Sequence, residues 1–235
     1  MSDDYGGDRP EPTSDHRVVA VVLAFAAAAC FLFASFSTRW LFNSRTPTTL
    51  SEVGFGLRSN YECSSPKTCR ELSNGELVST WKAELAKLQV AAAETADNFR
   101  SPEEMRAAEY ERLAAMKGME VSSAFAPLGW ITFISCLVAG LSLAIAGALV
   151  LAKRRLVLPI MPTTTALLSI VVALVAGCVF AALKPGPPGY AGVSVAFFVF
   201  GGGVVAGLAS SLMLNKLLRP EDPDLLSDAM NPEQF

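Results

Sequence analysis

The chain has 235 residues, of which 51% are hydrophobic and 17% are charged, and its formal net charge is −3. The mean hydropathy of +0.39 indicates a protein with several membrane segments. A nucleic-acid partner is not expected, because no basic stripe is present to neutralise a phosphate backbone. The first predicted partner is the lipid bilayer.

Four uncharged apolar runs are each long enough to cross the hydrocarbon core of a bilayer as a helix. They predict transmembrane helices at residues 18–37, 125–151, 156–183 and 190–214. Helix is the expected structure because a backbone in hydrocarbon must satisfy its own hydrogen bonds. The predicted fold is an all-α membrane protein: a four-helix antiparallel bundle with a large extracytoplasmic loop domain of short strands and two helices.

The segments between the runs complete the predicted organisation. In chain order they are an acidic cytoplasmic tail, the outer loop domain, a cytoplasmic turn, a short outer loop and a second cytoplasmic tail, at residues 1–17, 38–124, 152–155, 184–189 and 215–235. The first apolar run is expected to be a retained helix, since the segment before it lacks the basic character of a cleavable signal peptide.

Positively charged residues predict the orientation. Lys153, Arg154 and Arg155 form a cluster between the second and third runs, Arg17 precedes the first run, and Lys216 follows the last. By the positive-inside rule this turn and both termini are cytoplasmic, in a multi-pass protein of the cell membrane. Helices rich in Ala and Gly, together with the lack of a glycosylation acceptor, favour a bacterial inner membrane over a eukaryotic plasma membrane.

Two of the five cysteines lie in the outer loop. Cys63 and Cys69 enclose a turn-forming Ser-Ser-Pro-Lys-Thr insert, which predicts a disulfide. The alternative, a metal site, lacks further ligands nearby, since the only histidine is His16 in the N-terminal tail. No catalytic residue, cofactor-binding residue or metal ligand is predicted.

The outer loop changes character near residue 79. Short strands or turns are expected before it, at residues 48–53 and 54–58. Apolar residues at helical spacing follow, and Ser101-Pro102-Glu103-Glu104 forms a capping box that opens a second amphipathic helix. The apolar faces of these helices bury against each other, the membrane surface or a partner. The candidate partner-binding residues are Trp81, Leu85, Leu88, Met105, Met116 and Met119.

Small residues recur at every fourth position in the apolar runs and predict close packing between helices. The packing candidates are Gly140, Ala144, Ala173, Gly177, Gly203 and Gly207. The helix faces that carry these residues are expected to pack against other helices of the same bundle or against a second copy of the chain. The cores of the runs carry no ionisable residue, which argues against a proton-coupled transporter or an intramembrane hydrolase.

Trp40, the pair Gly56-Leu57, and then Cys63 and Cys69 follow the first apolar run in this order. With the four-span layout, they resemble the claudin and peripheral-myelin-protein superfamily. In that family a Trp, a Gly-Leu-Trp motif and two bridged cysteines follow the first span. Trp40, Gly56-Leu57, Cys63 and Cys69 resemble this pattern, and Arg58 stands where the family carries the second Trp. The resemblance implies a non-enzymatic protein that acts through its first outer loop in adhesion, barrier formation or regulation of another membrane protein.

The leading functional prediction is a non-enzymatic membrane protein that presents a disulfide-tied outer domain for adhesion, assembly or an accessory-subunit role. Its partner would be another membrane or extracytoplasmic protein, or a second copy of the chain. The alternative is a channel or carrier for a neutral solute, lined by hydroxyls and small-residue notches. A membrane enzyme would have to use Glu62, Glu71 and Glu76, and a solvated face explains these residues better.

Overall fold

The structure of the chain is a computed structural model. The structure describes six segments, residues 14–43, 50–64, 68–95, 121–152, 162–186 and 191–218. Within them the protein is mostly helical, and a small antiparallel sheet accompanies the helices.

Five helices are described, and four of them are long and apolar enough to cross a membrane. The helices are α1 (Ser14–Phe36), α2 (Asn74–Thr95), α3 (Phe125–Leu151), α4 (Pro162–Ala182) and α5 (Val195–Leu218). The spanning candidates are α1, α3, α4 and α5, and each of them carries large apolar side chains that are exposed. By contrast, α2 is amphipathic and follows the last strand of the sheet directly.

Helix α3 begins and ends at the predicted residues, whereas the other spanning helices differ from the predicted runs. Helix α1 begins at Ser14, four residues before the apolar run, and α5 continues to Leu218. The predicted start of the third run, 156–161, lies outside the described residues. Residues 192–193 form a strand before α5 begins at Val195, because their backbone pairs with strand β1.

The sheet has five strands in the order β4-β3-β2-β1-β5, and every neighbouring pair is antiparallel. The strands are β1 (Leu41–Asn43), β2 (Leu50–Phe55), β3 (Ser59–Ser64), β4 (Thr68–Ser73) and β5 (Gly192–Val193). The first strand follows α1 closely and β5 precedes α5, so the sheet sits at the ends of these two helices. The two short expected segments at 48–53 and 54–58 are one strand, β2, followed by a turn at 56–58.

The two faces of the sheet differ because successive side chains of a strand point to opposite sides. Leu41, Val53 and Phe55 are fully buried and belong to the core that continues into the helices. Gly54 and Tyr61 are cross-strand neighbours on the other face, which we call the outer face.

The predicted packing glycines lie at contacts between helices. A Cβ at Gly140 would lie 3.4 Å from the carbonyl oxygen of Ala28, and one at Gly203 would lie 2.9 Å from the Cβ of Cys30. At Gly177 the nearest atoms are on the Phe200 ring, 3.3 Å away. Larger side chains at these positions would therefore separate α1 from α3 and α5, and α4 from α5.

The other three packing candidates also face neighbouring helices. A Cβ at Gly207 would lie 2.9 Å from Cδ1 of Ile170 and 3.1 Å from the Phe31 ring. Ala173 is fully buried, and Ala144 is half-buried against the core.

Candidate functional site

The sheet is joined to the helices through Trp40, which is fully buried. Its indole N–H donates a 2.6 Å hydrogen bond to the carbonyl oxygen of Ala34 in the last turns of α1. Its backbone joins two other elements, because its N–H donates to Phe55 at 3.0 Å and its carbonyl accepts from Ser194 at 2.9 Å. One residue therefore ties α1, the sheet and the start of α5 together.

Aromatic rings surround the Trp40 indole. Its ring centroid lies 5.0 Å from that of Phe200, 6.0 Å from Phe197 and 6.1 Å from Phe180. Phe180 in turn stacks on Phe125 at 4.5 Å. Since these rings belong to the ends of α3, α4 and α5 nearest the sheet, the cluster closes that end of the helices with apolar side chains.

The turn at residues 56–58 docks against the second turn of α3. A Cβ at Gly129 would collide with the carbonyl oxygen of Leu57, so only glycine permits this approach. The buried side chain of Asn74 donates 3.0 Å hydrogen bonds to the carbonyl oxygens of both Gly56 and Leu57. The turn is consequently fixed by shape on one side and by hydrogen bonds on the other. We call residues 56–58 the docking turn.

Arg58, the last residue of the docking turn, is exposed and lies over aromatic rings. Its guanidinium carbon is 4.5 Å from the ring centroid of Phe133 in α3 and 5.5 Å from that of Phe36 in α1. These two rings meet edge to face at 5.7 Å, and Trp130 meets Phe133 in the same way at 5.6 Å. The result is a cationic group held on an aromatic surface beside two spanning helices.

The outer face of the sheet carries a hydrogen-bonded network of three residues. Tyr61 donates a 2.7 Å hydrogen bond from its hydroxyl to Glu52, and Arg39 donates to the Tyr61 oxygen at 3.1 Å. Arg39 also forms an ion pair with Glu52 at 3.2 Å. Glycine at position 54 leaves room for the Tyr61 ring, which a Cβ there would meet. The network is accessible, since the Arg39 and Glu52 side chains are 56% and 32% exposed.

Burial and the hydrogen bond to Glu52 raise the pKa of Tyr61 to about 12, while the charge of Arg39 and its hydrogen bond oppose the rise. The tyrosine therefore stays protonated and donates to the carboxylate throughout the physiological range. The outer face thus presents a fixed array of a cation, a carboxylate and a phenol.

Sequence reasoning did not identify Arg39, Glu52 and Tyr61 as functional candidates. The sequence pattern that could have identified them is the alternation with period two along β2 and β3. It places Glu52 and Gly54 on one face of the sheet and Val53 and Phe55 on the other.

The predicted disulfide between Cys63 and Cys69 is present. The two residues are direct cross-strand partners in β3 and β4, which brings their Cα atoms within 4.0 Å. The bridge therefore fixes the register of the two strands beside the outer-face network. Three cysteines in the described helices are free: Cys30, Cys136 and Cys178.

The three glutamates considered for an enzyme do not converge. Glu62 and Glu71 are neighbours of Arg70 and Tyr61 in the sheet register, which places the two carboxylates on opposite faces. Glu71 accepts a 2.8 Å hydrogen bond from Ser59. Glu62 is half-buried, and this burial raises its pKa, against the lowering effect of Arg70.

Glu76 caps helix α2. The Ser73 backbone N–H donates to its carboxylate at 2.9 Å, and the Ser73 hydroxyl accepts from the Glu76 N–H at 3.2 Å. The bond from the Ser73 backbone, followed by a 2.8 Å bond that the Ser73 hydroxyl donates to the same carboxylate, lowers the pKa of Glu76. Ser73 and Glu76 thus form a capping box, and α2 begins at Asn74, earlier than the predicted residue 79.

The candidate partner-binding residues fall in two groups. Trp81 and Leu85 are half-buried on α2, and Trp81 packs against the core. Leu88 lies on α2 three residues after Leu85. The other three candidates, which are Met105, Met116 and Met119, lie outside the described residues, as does the predicted capping box at 101–104. Partner binding by this set stays a prediction.

One buried polar residue of the sheet has no hydrogen bond to its side chain within the described segments. Asn60 is fully buried, and neither its Nδ2 nor its Oδ1 atom has a partner there. The neighbouring Asn74 differs, because its Nδ2 atom makes the two hydrogen bonds to the docking turn.

No protein-family model matches the chain, and no curated protein matches it significantly.

Proposed function

We propose that the protein is a multi-pass, non-enzymatic membrane protein whose outer sheet binds another protein. In this proposal α1, α3, α4 and α5 form an antiparallel bundle in the bilayer, and the sheet projects on the side opposite the cluster at 153–155. By the positive-inside rule that cluster and both termini are cytoplasmic, so the sheet and its disulfide lie outside. We extend the proposal to the claudin-like superfamily, supported by Trp40 and Gly56 at the junction of sheet and helices.

The observation that carries this proposal is the outer-face network on a sheet anchored at several points. Trp40 and the docking turn anchor the sheet to four helices, so its outer face has little freedom to move. A rigid surface loses little conformational entropy on binding, which favours specific association. The exposed ion pair of Arg39 and Glu52 supplies charges that a partner can read by complementarity.

The lipid-facing helix surfaces offer no comparable chemistry. Their exposed side chains include Leu168, Val175, Phe198 and Val205, all of which match hydrocarbon. Helices of this composition are suited to anchor the sheet, and the sheet is left to select the partner.

Photo-crosslinking in intact cells tests the proposal. A benzophenone amino acid is introduced at Ser59 or Glu71 on the outer face, and in control variants at Leu168 or Val205 on the helices. We expect one discrete protein adduct that is shared by the two sheet positions and absent from the helix positions. An adduct confined to the helix positions, or none from the sheet, would contradict the proposal.

The second candidate is a channel or carrier for a neutral solute, and two buried hydroxyls favour it. Thr163 in α4 and Ser211 in α5 are almost fully buried, and their hydroxyls have no hydrogen-bond partner in the described part of the chain. Such groups can bind a polar solute or water between helices. Flux of a neutral solute into vesicles containing the purified protein, abolished by Ser211→Ala, would establish this function; tight vesicles at high protein loading would remove it.

A further inference from the structure

The aromatic surface under Arg58 is partly exposed beside α1 and α3. Phe36 and Trp130 are 59% and 48% exposed, so half of each ring faces the surroundings of α1 and α3. Phe133 is buried beneath them and supports the guanidinium from below. The same side of α3 continues through Ile131 and Ile134, both of which are exposed apolar residues.

The cluster lies towards the end of α1 and the start of α3, which are the ends of these helices nearest the sheet. Phe36 is the last residue of α1, and Phe133 lies about two turns after the start of α3. Trp rings at such positions settle at the boundary between hydrocarbon and water. Arg58 reaches this level from the docking turn, which places its guanidinium over the rings of Phe36 and Phe133.

The charge of Arg58 is uncompensated within the described residues. The ion pair in this part of the chain joins Arg39 to Glu52, and no described carboxylate lies within ion-pair distance of Arg58. An exposed guanidinium offers N–H donors in a planar fork that fits phosphate oxygens in pairs. The ring faces hold that fork in place, so less side-chain entropy is lost when a phosphate binds.

We propose that Arg58, supported by Phe36 and Phe133, binds the phosphate of an anionic phospholipid in the leaflet on the side of the sheet. A lipid is the expected source of the phosphate, because the exposed apolar surface of α3 begins beside the Arg58 guanidinium and can contact the acyl chains. Binding would seat the docking turn on the membrane surface as well as on Gly129. The inference rests on the proposed membrane embedding, and it is independent of the protein partner on the outer face.

Quenching of Trp130 fluorescence by brominated phospholipids tests the site in the full-length protein. The protein is reconstituted in phosphatidylcholine vesicles, and brominated phosphatidylglycerol or brominated phosphatidylcholine is added in increasing fractions. The Trp130→Phe variant identifies the signal of Trp130 among the three tryptophans. One cation at a membrane surface predicts about fivefold preference for the anionic lipid.

Three substitutions distinguish the site from general surface charge. Arg58→Gln should bring the preference close to unity, and Arg58→Lys should keep part of it because the charge remains. The matched control is Arg70→Gln, which removes the same charge from exposed strand β4 and should keep the full preference. Equal preference in Arg58→Gln and the unsubstituted protein would overturn the proposal, as would the absence of any preference in the unsubstituted protein.

Two further measurements use the unsubstituted protein. Raising the salt concentration from about 0.1 M to about 0.5 M should weaken the preference, because the contact is at the surface and is screened. Inorganic phosphate at millimolar concentration, added at constant ionic strength, should leave the quenching unchanged. Displacement of the anionic lipid by millimolar inorganic phosphate would overturn the lipid assignment. The two proposals can fail separately. If the photo-crosslinked adduct of the sheet positions is absent while the lipid preference is observed, only the proposed binding of a partner is contradicted.

Discussion

The spanning helices and the sheet are held together by different physical means. The helices pack by shape, with small residues such as Gly203 and Gly207 set against side chains of neighbouring helices. The sheet relies on specific bonds: a disulfide, the Arg39–Glu52 ion pair and the hydrogen bonds of Tyr61 and Asn74. In hydrocarbon close packing replaces the hydrophobic drive, whereas polar bonds can be arranged freely outside it. The contrast teaches that the charged and hydrogen-bonding groups described above are concentrated in the sheet, which is why we propose that the sheet binds the partner.

The two regions meet at the docking turn and at Trp40. Changes at this junction are expected to have larger effects than changes within either region, because they disturb packing and hydrogen bonds together.

The largest effect is expected from Gly129→Ala. The added methyl group meets the Leu57 carbonyl oxygen, a backbone atom that cannot rotate away, so we expect a loss of about 3 kcal/mol in unfolding free energy. The matched control is Gly202→Ala, where nothing lies within 4 Å of the new Cβ. There a gain of about 0.5 kcal/mol is expected from helix propensity. Denaturant titration in detergent, followed by circular dichroism, compares the two variants, and equal stabilities would refute the docking contact.

A slightly smaller effect is expected from Trp40→Phe. The change removes the indole donor to Ala34 and leaves space among the surrounding rings, which together cost about 2.5 kcal/mol. The near-ultraviolet circular dichroism of the folded state should weaken as well, since a buried, immobilised indole is lost. A variant with unchanged unfolding free energy would show that Trp40 does not join the regions.

Removal of the disulfide should affect the sheet and spare the helices. The double variant Cys63→Ser and Cys69→Ser opens a short loop, for which about 2 kcal/mol of stabilisation is expected to be lost. Hydrogen exchange should increase in β3 and β4 and remain unchanged in the spanning helices. Equal acceleration in both regions would mean that sheet and helices unfold as a single unit.

The smallest effect concerns the titration of Tyr61. Its folded-state pKa of about 12 lies above the ordinary value of 10.0, so the folded state favours the protonated phenol. This contribution to stability is complete below about pH 10 and is lost as the pH rises through 12. Absorbance titration of tyrosinate checks it, with Tyr61→Phe as the reference: the difference between the two curves should titrate near pH 12. A difference that titrates near pH 10 would exclude the hydrogen bond to Glu52.

The sequence predicted the spanning helices well because their signal is local and continuous. The helix at residues 125–151 was predicted from the length and hydropathy of the run alone, and the Cys63–Cys69 disulfide was predicted from the cysteine spacing and the turn residues between them. The start of α2 was also readable, since Ser73 and Glu76 have the spacing of a capping box that the prediction overlooked.

The junction could not be predicted from local patterns. Strand β5 is two residues long, and its pairing with β1 depends on contacts far apart in the chain. The docking turn requires glycine at position 129 because of a carbonyl group seventy-two positions earlier, at Leu57. Within an apolar run, such a glycine looks like any other small packing residue.

The central claim is that the outer face of the sheet presents its charges to a partner. The double variant Arg39→Glu and Glu52→Arg exchanges the members of the ion pair, so the attraction within the protein is kept and the charge pattern of the surface is reversed. We measure the yield of the protein adduct from the crosslinker at Ser59 in this variant, together with its unfolding free energy. The account predicts near-normal stability with the adduct lost, whereas normal stability with an undiminished adduct would contradict it.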